Sequence, residues 1–306
     1  MTALLLSLLP VALAASPFVQ VDGGYLHTCA RRADGSVLCW GQDDHEVVSG
    51  APSGSFVEVS AGLYRSCARP ATGAPVCWGK PVWPTLDPSL MLDIEEEEGD
   101  QSVPAGLVAL QVGGEADCGL GPAGTVLCWG PSGPLLRGLP AGEQDIAALS
   151  VGFRHACALR KDGGLSCWGD GSAPDGGAPF QAVPPPWPVS AVAVGMGTHS
   201  CALRLDGSVS CWGGDGSGDG GKVFAGQLRA PPGTFVALSA GHDHTCALRA
   251  DGSVACWGQV QDPPQEWRFS QISSGAFHAC GVTIEGGLRC WGGDQFGQVK
   301  ETPAGG

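Results

Sequence analysis

The chain has 306 residues, 43% of them hydrophobic and 15% charged, with 50 glycines, 24 prolines and a formal charge of −14. That acidic balance disfavours nucleic acid and anionic membranes, which are bound through clustered Lys and Arg. The glycines recur at a fixed period, which argues against disorder, and a repeat that tiles the chain argues for one domain rather than the two its length allows.

Taken from the start, Ala3 to Ala15 is an apolar run closing on Ala12-Leu13-Ala14, a small-x-small cleavage pattern. It reads as a signal peptide over residues 1–15, although no Lys or Arg precedes it, leaving 16–306 as the mature protein. The run is too short to span a bilayer comfortably, and no other stretch reaches the roughly 18 apolar residues a spanning helix needs. Ser16 stands where a lipoprotein would need cysteine. The expected location is secreted, or periplasmic and cell-envelope, without a membrane anchor.

From Phe18 onward one unit recurs seven times, most clearly as His244 to Gly258, H-T-C-A-L-R-A-D-G-S-V-A-C-W-G. All 14 cysteines belong to it, as Cys29/Cys39, Cys67/Cys77, Cys118/Cys128, Cys157/Cys167, Cys201/Cys211, Cys246/Cys256 and Cys280/Cys290. Two short alternating runs flank Ala250-Asp251-Gly252, whose glycine recurs in every copy. A three-residue hairpin loop ends in the left-handed conformation, which glycine adopts without steric cost. Counting outward from that loop sets Leu248 against Val254 and Cys246 against Cys256, at a closely spaced non-hydrogen-bonded pair that suits a disulfide. Zinc is disfavoured because nine residues separate each pair and no second pair is adjacent. An even set of paired cysteines also fits export to an oxidising compartment.

Each hairpin follows a short run that ends on a glycine, from Phe18 to Gly24 in the first copy and from Phe269 to Gly275 in the last. First cysteines are 38, 51, 39, 44, 45 and 34 residues apart, a blade-type period with no 3.6-periodic segment. Three runs per repeat plus one from the intervening segment predict an all-β, seven-bladed β-propeller of four-stranded blades, each with one C-x9-C-W-G hairpin. The residue after each first cysteine is small (Ala30, Ala68, Gly119, Ala158, Ala202, Ala247 or Gly281), while the cysteine face carries Leu or Val in five copies, so neighbouring blades should interlock. Arg31, Arg69 and Pro75 break the pattern and predict an irregular second blade.

Candidate functional residues are sparse. His27, His155, His199, His244 and His278 sit two positions before a first cysteine, and their periodicity marks them as structural hydrogen-bonding groups. The second repeat carries the insertion Lys80 to Gly106, with the acidic run Asp93 to Asp100 and Trp83 between prolines. Trp83, Trp187 and Trp267 are candidate interaction anchors, the last two competing with a blade-capping role. Asp215, Ser217 and Asp219 resemble half a calcium loop, but residue 226 is Gly where the bidentate acid belongs, so a plain turn is expected and no metal or other cofactor is assigned.

The pattern H-[ST]-C-A-L-R-x-D-G-S-V-x-C-W-G, preceded by an A-G or V-G turn, resembles the regulator-of-chromosome-condensation repeat over residues 18 to 298. Gly292 to Val299, G-G-D-Q-F-G-Q-V, resembles that family's G-x-N-x-x-G-Q-L stretch. The resemblance implies the propeller and, with the leader and paired cysteines, a secreted bacterial-type member. It leaves activity open, because the family includes nuclear exchange factors, ubiquitin-ligase modules and a secreted bacterial inhibitor of β-lactamases. No G-x-S-x-G, phosphate loop or H-E-x-x-H is present. The expected role is that of a monomeric binding module, not an enzyme, which recognises an unidentified protein or surface polymer through inter-blade loops. A glycan-binding or glycan-acting propeller is the alternative; guanine-nucleotide exchange needs an intracellular GTPase, and the leader counts against it.

Overall fold

A computed structural model describes residues 17–79, 103–114, 116–130, 144–169, 184–214 and 226–303. The signal peptide, Trp83, the acidic run and the calcium-like loop (Asp215, Ser217, Asp219) lie outside the described residues. The chain forms seven antiparallel sheets, one per repeat, each in the order first, second, third strand. In the sixth, Ala237–Ala240 pairs with His244–Leu248, which pairs with Val254–Gly258. Register follows the loop: Leu248 faces Val254 and Cys246 faces Cys256. The hairpin glycines have φ between +74° and +99°. The Asp before three of them fixes the turn by accepting from the backbone N and Oγ of the following serine, as Asp251 does from Ser253 at 2.9 and 2.6 Å.

Every cysteine pair closes within its own hairpin: Cys29–Cys39, Cys67–Cys77, Cys118–Cys128, Cys157–Cys167, Cys201–Cys211, Cys246–Cys256 and Cys280–Cys290. Their Cα atoms are 4.0–4.1 Å apart, as a non-hydrogen-bonded pair requires, and no cysteine is free.

Among the described residues the fourth strand is not formed: each sheet has three. The two ends of most disulfides are unequally sheltered. The first cysteines, on the middle strands, are fully buried, whereas Cys77, Cys128, Cys167, Cys211 and Cys256, on the third strands, are half-buried and Cys39 and Cys290 are buried. Two connections have described segments that are held by side chains. Trp78 Nε1 donates to Val47 O at 2.8 Å, and Trp257 Nε1 to Gln227 O at 2.7 Å. The outward amide of Cys256 is taken by Asp262 Oδ1 at 2.5 Å. Prolines such as Pro52, Pro263 and Pro264 could not donate to a ladder in any case.

The first strands line the centre, each contacting its counterparts in the neighbouring blades, including Phe18–Gly23 against Phe269–Ser274. Seven glycines close the ring: Gly24, Gly62, Gly113, Gly152, Gly195, Gly241 and Gly275. A Cβ placed on any of them would lie within 2.8 Å of the carbonyl oxygen of the next, and Gly275 returns to Gly24. The residue after the glycine donates to that carbonyl in several blades, as Tyr25 N does to Gly62 O at 3.0 Å and Ala276 N to Gly24 O at 3.2 Å. Glycine at these positions is therefore a requirement of close backbone approach.

The hydrophobic core is divided into seven clusters, each spanning one pair of adjacent blades. Cys29 and Cys39 of the first blade meet Val59 and Ala68 of the second, and Cys280 and Cys290 of the last meet Val21 and Ala30 of the first. The disulfide face of one blade thus packs on the small-residue face of the next. At Gly281 glycine is also required within its own blade, since a Cβ there would enter the Phe269 ring of the inner strand. The last seam is finished by the Gly292 to Val299 stretch: Asp294 Oδ1 accepts from Val299 N and Lys300 N, and Gln298 O accepts from Trp40 Nε1 at 2.9 Å. In the second blade Pro75 ends the hairpin pairing at Ala68–Val76, and Arg69 turns to Glu58 at 2.7 Å. The irregularity is confined to that edge, and the third blade's strands are equally short.

Candidate functional site

Each blade has two ends. At one lie the hairpin loops and the entries of the inner strands; at the other lie the glycine turns, the Trp-Gly ends and the starts of the connections, as Gln42 N donating to Leu26 O at 2.9 Å shows. The repeat leaves the residues between the ring glycine and the second strand unconstrained, and five of those in this chain are aromatic: Tyr25, Tyr64, Phe153, His242 and Phe277. Four of them form a continuous arc. Tyr25 meets Tyr64 edge-on at 6.0 Å and Phe277 at 5.6 Å, and Phe277 stacks on His242 at 5.7 Å. Tyr25, Tyr64 and His242 of this arc rim a depression of about 300 Å³ at the mouth of the central channel, with Phe153 and Met196 completing the rim, Val112 and Val151 in its floor, and Phe277 flanking the rim against Tyr25 and His242. Asp243 Oδ2 accepts from His242 Nδ1 at 2.8 Å and so fixes the ring.

Below the mouth the channel, about 220 Å³, is lined by Asp22, Ser60, Ser150, Ser239 and Ser273 at equivalent inner-strand positions. These side chains are bridges between blades. Ser60 Oγ accepts from Val112 N at 3.0 Å, Ser150 Oγ from Val194 N at 2.9 Å, and Asp22 Oδ2 from Ala61 N at 2.9 Å. Gln20 and Gln271 bond both N–H and C=O of Val59 and Val21, replacing a strand ladder across two seams. Burial pushes the Asp22 carboxyl up to about 6, against hydrogen bonds that favour the anion.

The periodic histidines lie in the seams. His27 Nε2 bonds Ser66 Oγ at 2.8 Å, His155 Ser200 at 2.9 Å, His199 Thr245 at 2.9 Å, and His278 Thr28 at 2.6 Å. Arg65 and Asp117 replace one such pair by an ion pair, Nη1 to Oδ2 2.9 Å, whose angle falls short of a hydrogen bond. Asp117 is so buried that its carboxyl still rises to about 6. It lies beside Cys67 and Cys77, the one grouping of three metal-ligand types among the described residues, and the disulfide and Arg65 already occupy all three. In the sixth seam His244 meets the blade whose hydroxyl position is Ala279, and His244 Nε2 is buried without a partner. Burial lowers His27 and His244 to about 3, and His155, His199 and His278 to about 4. Ala279→Ser is expected to give His244 the bond its counterparts have and to stabilise the fold by about 1 kcal/mol. Urea unfolding of the two proteins checks this; an unchanged or lower midpoint refutes it.

The tryptophan candidates fall elsewhere. Trp187 is 37% exposed, with the Arg204 guanidinium 4.9 Å above its ring, and Trp267 packs into the sixth seam, edge-on to Phe269 at 6.2 Å. Both sit at inner-strand entries, at the opposite end from the mouth, so Trp267 is a blade cap and Trp187 a half-covered one. The aromatic rim escaped sequence reasoning because its members occupy different offsets after the glycine. The usable signal was the one variable slot in an otherwise uniform unit.

Four of the repeats, at residues 18–46, 146–173, 235–259 and 269–298, match the regulator of chromosome condensation (RCC1) repeat. The fold is similar to the CRINKLY WD40 ectodomain of the Arabidopsis thaliana receptor kinase ACR4, with a TM-score of 0.69, 22% identity and coverage of 92% of this chain and 98% of that one. It is also similar to the ectodomain of the Physcomitrella patens receptor kinase CR4, with a TM-score of 0.67, 23% identity and coverage of 90% and 74%. Prp20p from Saccharomyces cerevisiae, described with binding properties to Gsp1p and histones, gives a TM-score of 0.61 at 18% identity, covering 85% of this chain and 80% of that one. At such identities the likeness is one of fold. No curated protein sequence matches the chain.

Proposed function

We propose, from the premise that this chain is a seven-bladed propeller carrying RCC1 repeats, that it is an exported binding module that takes a macromolecular partner at the channel mouth and performs no chemistry of its own. The observation that carries this is the arc Tyr64, Tyr25, Phe277 and His242, of which Tyr64, Tyr25 and His242 line an apolar depression. Half-buried aromatic rings on a rigid frame present large area at little entropic cost, which is how interface anchors work. Seven disulfides fit an oxidising extracellular environment, and no described helix is long and apolar enough to cross a membrane. His242 and Asp243 form a hydrogen-bonded pair, while the channel serines Ser60 and Ser150 are committed to holding blades together.

The test is capture from the medium or cell envelope on immobilised mature protein, beside a Tyr25→Ala, Phe277→Ala variant. A partner retained by the wild type and lost from the variant is the expected result. Partners indifferent to the variant, or turnover of a peptide or glycan by the purified protein, would refute the reading. A glycan partner is the second reading, favoured by the two tyrosines, since sugars stack on exposed rings; capture of polysaccharide instead of protein would select it.

A further inference from the structure

The mouth is acidic as well as aromatic. His45, met edge-on by Tyr64 at 5.4 Å, lies between Asp44 and Glu46 in the connection that starts at this end. Burial, then the neighbouring Tyr25 hydroxyl and the Asp44 charge, raise the Tyr64 phenol above its usual range. Across the depression, the hydrogen bond from His242 holds the Asp243 carboxyl below its usual range, so it is anionic at neutral pH. The cations at this end are engaged: Arg65 with Asp117, Lys300 with Asp294, and Arg154 within its own surroundings. The chain as a whole carries −14.

The opposite end shows what these aromatic rings do when a cation is within reach. Arg32 stands over Phe18 at 4.3 Å, Arg204 over Trp187 at 4.9 Å, Arg249 over Phe235 at 5.0 Å and Arg289 over Trp267 at 5.6 Å. At the mouth Tyr25, Tyr64 and Phe277 have no guanidinium or ammonium over them among the described residues; their ring neighbours are one another and His45 and His242. Aromatic faces beside carboxylates attract a cation by the ring quadrupole and by charge together.

We infer that the occupant of the mouth is a basic polypeptide segment, which seats one Arg or Lys side chain in the depression against Tyr25 and Tyr64, with Phe277 flanking it on the rim and Asp44 beside Tyr64 and Asp243 beside His242 supplying negative charge nearby. This rests on the mouth being the binding site and names the chemistry of the partner. A depression of about 300 Å³ accommodates one long side chain rather than a folded element, so the remainder of the segment lies across the rim.

The test uses the mature protein with fluorescein-labelled hexa-arginine, hexa-glutamate and a neutral Gly-Ser peptide, read by anisotropy at low and at physiological salt. Hexa-arginine is expected to bind, and to bind more weakly as salt rises. Phe277→Lys, which sets a cation in the mouth at a residue 37% exposed, is expected to weaken binding at least tenfold. Tyr64→Phe should stay within about threefold of wild type because the ring face is kept, and Asp243→Asn should lose about threefold. Melting curves of each variant confirm that it is folded. Equal binding of hexa-glutamate or the neutral peptide overturns the inference. If captured partners depend on the mouth but are not displaced by hexa-arginine, the binding-module reading stands and the basic segment falls. If hexa-arginine binds Phe277→Lys as it binds wild type, the mouth is not its site and the inference fails.

Discussion

Lowering the pH from about 6 to about 4 is expected to unfold the propeller while its disulfides remain closed. The five seam histidines are neutral in the folded protein down to about 3 or 4, whereas an unfolded histidine charges near 6.5. Folded values depressed in this way mean stability that is present above 6.5 and lost as pH falls towards 4. Asp22 and Asp117 act in the opposite sense: their carboxyls are raised to about 6, so their contribution is complete below 3.8 and lost as pH rises through 6. Between pH 6 and 4 the unfolded chain therefore binds five extra protons on histidine and the folded chain two on aspartate. The net three correspond to about 4 kcal/mol per pH unit, or about 8 kcal/mol over the window. Native proteins have about 5–15 kcal/mol in total, so the histidines decide the outcome.

Tryptophan fluorescence and near-UV circular dichroism followed against pH should show a cooperative transition near pH 5. His155→Gln, which keeps a donor for Ser200 but cannot be charged, should move the midpoint downward. A flat titration to pH 3.5 would show that the seams tolerate charge and would remove the histidine argument.

Gly152→Ala is expected to cost about 3 kcal/mol or more and to loosen the ring at the junction of the fourth and fifth blades. The new methyl would lie inside contact distance of the Gly195 carbonyl oxygen and against Val194 Cγ1; the nearest obstacle is the backbone of the adjoining blade in a closed ring, which cannot swing aside as a flexible side chain would. Gly73 is the control. Its φ is +99° and a Cβ there meets nothing within 4 Å, so Gly73→Ala carries only the left-handed conformational penalty of about 1–2 kcal/mol. Denaturant midpoints of the two variants separate steric closure from backbone freedom. Equal losses would mean that the ring can relax at Gly152.

Much of this architecture was legible in the chain because the repeat is written in short-range chemistry. The loop glycine at 252 sets the register, the register sets Cys246 against Cys256, and the alternation sets Ala247 on the face that packs against the disulfide face of the preceding blade. Each step spans only a few residues, so it survives without tertiary context. The fourth strand, not formed among the described residues, is the converse case. Whether a connection joins a ladder depends on what lies across from it, and here the Trp78 and Trp257 indoles and Asp262 take the groups a strand would have used.

The binding surface belongs to the same class of long-range facts. Tyr25, Tyr64, His242 and Phe277 stand in blades one, two, six and seven, at different offsets from their glycines, and become neighbours only because the ring closes between the last blade and the first. Likewise His244 reads like its four counterparts in sequence, and its missing partner shows only when Ala279 is seen to occupy the hydroxyl position of the adjoining blade. The sequence by itself determined the hairpins, the disulfide pairing and the number of blades, since local turn geometry and pleat alternation dictate them. The tertiary structure alone decided which side chains meet at seams and at the mouth, because those contacts join residues of different repeats and exist only once seven blades share one axis.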